Sequence, residues 1–146
     1  MTAPCSDRIP TPALVLGAGG LIPFVSGAAL QVMTHDPRVM PLLASYGAVI
    51  LSFVGALHWG YAVRDTPSGA GAWLRFGWSV VPALMAWVCL MLPAAVGVLM
   101  LAGALSTSLA VDEVFVRHMK MPVWLMPLRR ALTAVGAGSL VIAALV

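Results

Sequence analysis

His58 is the residue of this sequence best placed to do chemistry. It lies in Ala56-Leu57-His58-Trp59-Gly60, within a run that stays uncharged from Val39 to Val63 apart from this one imidazole. An ionisable side chain inside so apolar a stretch is costly and is a functional hypothesis by default. A ring there can handle a proton or contact a quinone headgroup. It can equally be a neutral imidazole bonded to a neighbour near an interface, since Arg64 follows within two turns. Asp112-Glu113 and Arg129-Arg130 are the other candidates. Asp112 paired with Arg129 or Arg130 would tie two helices together as a wet ion pair of small worth. Alternatively, His58, Trp59, Asp112, Arg129 and Arg130 line one polar pocket able to hold an anionic lipid or a quinone headgroup.

Other chemical templates fail. The carboxylates are Asp7, Asp36, Asp65, Asp112 and Glu113, and none falls in the middle of an apolar run, which argues against a pump with a buried acid. No glycine-rich phosphate loop ends in Lys-Ser or Lys-Thr. Ser45, Ser52, Ser106 and Ser108 lack the surroundings of a nucleophile, so no catalytic residue is assigned and the chain reads as non-enzymatic. No metal site is expected: His35 belongs at the opposite end from His58, His118 falls in a loop, and the methionines have no regular spacing. Cys5 and Cys89 should differ too much in depth to form a disulfide. No cofactor is implied.

The elements that must position these residues follow from composition. Apolar residues make up 61% of the chain and charged residues 9%, against roughly 45–50% and about 25% in a soluble domain. Only a bilayer can act as solvent for such a surface, so the expected fold is an all-α membrane protein, a single transmembrane domain over residues 1–146. A span needs about 20 apolar residues. Thr11-Pro12 is a good helix start, and the expected spans are 11–34, 41–63, 73–92, 94–111 and 128–146. The charge-free stretch from Phe76 to Val111 is too long for one crossing, and Pro93 divides it. Five spans put Arg8, Arg64, Arg75, Arg117, Lys120, Arg129 and Arg130 on one side and only Arg38 on the other. By the positive-inside rule the N-terminus is cytoplasmic and the C-terminus periplasmic. Trp59, Trp73, Trp78 and Trp124 fall near the same interface. Asp7 and the continued apolar character beyond Ser26 argue against a cleaved signal. The basic residues sit in short gaps without interleaved aromatics, which excludes nucleic acid as a partner.

Helices in lipid associate through close backbone contact. Ala48, Ser52, Ala56 and Gly60 recur every four residues, as do Gly19, Pro23 and Gly27, and both stripes are expected to be helix contacts. Gly97, Gly103, Ser106, Gly136 and Gly138 add further small positions. Pro23 lacks an N–H, so the carbonyl of Gly19 loses its helical partner. The result is either a kink packed on a neighbouring span or a broken helix offering backbone to a substrate.

Pro12-Ala13-Leu14, the run Leu16 to Phe24, the run Tyr46 to Gly60 and the late Pro127-Leu128-Arg129 with Leu132-Thr133 resemble the domain of unknown function 3429 family, whose members include bacterial and mitochondrial, transmembrane protein 69-like proteins. The resemblance covers most of the chain and implies a multi-pass protein of a bacterial inner membrane. It brings no activity or ligand. The expected function is an integral inner-membrane accessory or assembly factor, its partners the lipid bilayer and another inner-membrane complex or a second copy. The rival reading is a small transporter, channel or lipid- or quinone-binding protein using the polar pocket near His58.

Overall fold

The computed structural model describes residues 8–65, 68–116 and 121–146. Cys5, Asp7, Arg117, His118 and Lys120 lie outside them. Every described element is helical: α1 Thr11–Gly19, α2 Ile22–Thr34, α3 Val39–Asp65, α4 Ala70–Leu90, α5 Ala94–Phe115 and α6 Leu125–Ala144. Counting α1 and α2 as one, five helices are long and apolar enough to cross a membrane.

The first of these is interrupted. Pro12 opens α1 and Pro23 occupies the first turn of α2, where its missing N–H costs least. Between them Leu21 N–H bonds to the Ala18 carbonyl, a tightened turn. Next to the Gly19 carbonyl, which Pro23 deprives of its helical donor, the Gly20 carbonyl accepts a hydrogen bond from the Tyr46 hydroxyl of α3, at 2.8 Å. Phe24 closes edge-on against the Tyr46 ring at 5.0 Å. The break is therefore a kink packed on its neighbour. Gly19 and Pro23 are both exposed, and a Cβ on Gly19 would meet nothing within 4 Å. The stripe that contains them does not pack as expected; only Gly27 does, against Leu43.

α3 is the central helix. It packs on α4 most extensively and also on α2, α5 and α6, while α5 pairs with α6 and α2 lies against α6. Its buried face runs Leu43, Ala44, Gly47, Ala48, Leu51, Val54, Gly55, His58 and Ala62, alternating steps of three and four as a helix seam does. A strict four-residue stripe drifts off that seam, because 3.6 residues make a turn. Of the expected stripe only Ala48 is in the core; Ala56 and Gly60 face outward. The closest approach is at Gly55, where a Cβ would stand 2.6 Å from the Ser79 carbonyl oxygen and 3.1 Å from Cγ of Pro82. Gly55 thus admits the proline ring of α4. At the α4–α5 turn Gly97 makes similar room for the Cys89 carbonyl. Leu51, Val98, Leu101 and Leu140 are fully buried and form the centre of the bundle. Between 11% and 44% of each span's most apolar stretch is buried inside the protein, so most of that apolar surface faces outward.

Four helices extend beyond the expected spans: α3 runs from Val39 through Arg64 to Asp65, and α4 begins at Ala70. α5 continues past Val111 through Asp112 to Phe115, and α6 begins at Leu125, before Arg129. A helix continues past a charged residue when that residue has a partner to satisfy it, and here Asp112 and Arg129 both do.

Candidate functional site

Where α3 and α5 end and α6 begins, three ionisable side chains meet inside the protein. His58 donates from Nε2 to Oδ1 of Asp112 at 2.6 Å. Arg129 donates from Nε to Oδ2 of Asp112 at 2.9 Å and from Nη2 to the same oxygen. The residues are 1%, 4% and 7% exposed. One carboxylate thus joins α3, α5 and α6, and each of its oxygens is used. Asp112 accepts three hydrogen bonds. The Arg129 guanidinium balances its charge, and the imidazole contributes an N–H without adding charge if its other nitrogen is bare. That assignment of the tautomer follows from the acceptor it faces.

The pairing differs from a wet interfacial ion pair. Burying charges is costly, and the cost is recovered only with good geometry and complete hydrogen bonding. The Asp112–Arg129 pair has both on the carboxylate side. Phe115, at the end of α5, sets its ring edge-to-face with His58, centroids 5.9 Å apart, and helps exclude water.

The other two candidates fall outside this cluster. Trp59 is adjacent to His58 in sequence and so projects about 100° away around the helix. It is 49% exposed and packs edge-on to Phe76 at 4.9 Å. Arg130 pairs instead with Glu113 at 2.7 Å on the surface. Arg64 and Arg75 meet Asp65, at 2.8 and 3.3 Å, so the basic residues of this end do not converge on one pocket. Among the described residues, no three His, Cys, Asp or Glu side chains gather as metal ligands would. At the opposite end, outside α3, Asp36 accepts the backbone N–H and the side chain of Arg38. Chiefly the backbone bond, then the guanidinium, holds its carboxyl below the ordinary value of 3.8.

Sequence reasoning weighed Ser108 only as a nucleophile and set it aside. It is buried at 2% exposure, and its hydroxyl has no hydrogen-bond partner among the described residues; the same holds for Nδ1 of His58. The signal was available in the spacing, since Ser108 and Asp112 are four apart and share a helix face.

A family model described as "Protein of unknown function (DUF3429)" matches residues 9–145. Transmembrane protein 69 of Xenopus tropicalis is 41% identical over 140 residues, covering 90% of this chain and 53% of the frog protein. Transmembrane protein 69 of Mus musculus is 31% identical over 86 residues, 56% of this chain and 34% of the mouse protein. The chain thus spans about half or less of the curated relatives it matches. No solved structure matches it.

Proposed function

Because the chain belongs to the DUF3429 family and is an integral membrane protein, we propose that it acts without catalysis, as an accessory or assembly factor that binds another membrane protein through helix contacts. The observation that carries this reading is the outer face of α3. Ala56 and Gly60 lie there among the exposed side chains of Val49, Phe53 and Val63, and a Cβ on Gly60 would meet nothing within 4 Å. Small residues give little against lipid but allow a second helix to approach closely. Among the described residues, no helix of the protein covers this face. The proposed setting is a bacterial inner membrane, while the frog and mouse relatives support a multi-pass membrane protein. The N-terminus would be cytoplasmic and the C-terminus periplasmic, supported by seven Lys and Arg on one side of five spans against one on the other.

The test is a photo-crosslinking residue at position 56 in native membranes, together with Gly60→Leu. The reading expects a discrete crosslinked partner whose co-purification is lost in Gly60→Leu while the bundle stays folded. Crosslinks to lipid alone would refute it. Gly55→Leu is unsuitable here, because Gly55 faces α4 of the same chain. A second reading, a polar ligand site at His58, is favoured by the unpartnered atoms beside Asp112.

A further inference from the structure

The helical serines follow one habit. Ser26, Ser45, Ser52, Ser106 and Ser139 each donate to the carbonyl four residues earlier, and Ser79 donates to the carbonyl three earlier. This back-bonding is the default for a hydroxyl in an apolar helix. Ser108 departs from it: its Oγ is buried with no partner among the described residues. One turn further along the same face, Asp112 holds His58, whose Nδ1 is also buried and unpartnered. Buried polar atoms are paired in the great majority of cases, so an orphan on the ring that Asp112 holds and a second one turn from Asp112 on α5 require an explanation.

The chemistry of the occupant can be worked out. Nε2 of His58 faces Asp112, and because Asp112 and Arg129 already cancel in charge, a neutral ring adds no uncompensated charge and presents Nδ1 as a lone-pair acceptor. Asp112 and Arg129 already cancel in charge, and the cluster is at most 7% exposed. A charged ligand would therefore add an uncompensated charge in a low-dielectric site. An aprotic carbonyl offers Nδ1 nothing to accept. What fits is an uncharged group with a hydroxyl, donating to Nδ1, with Ser108 Oγ available as donor or acceptor.

We propose that His58 Nδ1 and Ser108 Oγ anchor the hydroxyl of an uncharged molecule inside the bundle, with Asp112 fixing the imidazole tautomer and Arg129 keeping Asp112 charge-balanced. The hydroxyl belongs either to water or to an alcohol or phenol dissolved in the membrane. The site rests on the second reading above and is independent of the outer face of α3.

The experiment uses the full chain in lipid nanodiscs with 15N-labelled histidine, the His58 signals assigned by their loss in His58→Gln. The expected ring is neutral, protonated at Nε2, with Nδ1 accepting a hydrogen bond. The probes are 4-butylphenol and its methyl ether, 4-butylanisole. A shift of the Nδ1 resonance with the phenol and not the ether, weakened about tenfold in Ser108→Ala for the loss of one hydrogen bond, assigns the site to an organic hydroxyl. A hydrogen-bonded Nδ1 that ignores both probes but responds to deuterium oxide assigns it to water. A ring protonated at Nδ1, or a bare Nδ1 that responds to none of the three, overturns the proposal. Ser108→Ala leaves the His58–Asp112–Arg129 contacts in place, so its effect is separable from misfolding.

Discussion

Replacing Arg129 with methionine tests whether the buried cluster holds the bundle together. The substitution keeps most of the aliphatic stem but removes two of the three hydrogen bonds on Asp112, leaving only the 2.6 Å contact from His58. Charge-assisted hydrogen bonds contribute about 1.5–3 kcal/mol each. Removing one partner of a buried pair costs about 3–5 kcal/mol, because the remaining charge stays uncompensated. Arg129→Met should therefore destabilise by about 3–5 kcal/mol. The double variant Arg129→Met with Asp112→Asn carries no orphan charge and should recover most of that loss. Arg130→Met is the control: its pair with Glu113 is 60% and 43% exposed, and solvent screening limits its effect to about 0–1 kcal/mol. The assay is reversible unfolding in mixed micelles, followed by loss of helical circular dichroism as denaturing detergent is added. A value for Arg129→Met within about 0.5 kcal/mol of the parent, the usual range for a surface change, would refute the reasoning. So would a double variant no more stable than the single one.

Gly55→Ala should cost about 1–3 kcal/mol in the same assay, since its Cβ would lie 2.6 Å from a backbone oxygen that can move only if α3 and α4 separate. Gly60→Ala meets no protein atom and should be neutral or stabilising by up to about 1 kcal/mol; equal effects at the two glycines would contradict the packing described. Tyr46→Phe removes the donor to the Gly20 carbonyl at the α1–α2 break and should cost about 1–3 kcal/mol, with faster amide exchange confined to that turn. Asp36, whose carboxyl is held below 3.8 by Arg38, stabilises the α2–α3 turn at pH values above 3.8 and loses that contribution as pH falls through its lowered value. A carboxyl carbon titration should give a midpoint below 3.8, and a midpoint at or above it would count against the contact.

The helices were legible from simple signals. Thr11-Pro12 marks the start of α1, and Pro93 divides the long neutral stretch where α4 gives way to α5. The ends of α3 and α5 were not, because Arg64 and Asp112 were read as span ends, and α6 starts at Leu125 rather than Leu128. Asp112 and Arg129, seventeen residues apart on two helices, satisfy each other, a contact that hydropathy does not encode. Trp59 shows a second limit. A motif read along the sequence places it with His58, but on a helix neighbours point in different directions, and His58 lies in the seam while Trp59 is turned about 100° out of it. The small-residue stripe failed for a related reason: a period of four departs from 3.6 fast enough that Ala48 is buried while Gly60 is exposed. Combining spacing with angle, rather than spacing alone, would have recovered Gly47, Leu51, Gly55, His58 and Ala62 as one face.

The account depends on Asp112 being shared between His58 and Arg129 inside the bundle. Solid-state NMR of the labelled chain in lipid bilayers reads this directly, through magnetisation transfer from the Asp112 carboxylate carbon to nearby nitrogens. Transfer to both His58 Nε2 and Arg129 Nε is the predicted result; a carboxylate whose only close contact is water would contradict it.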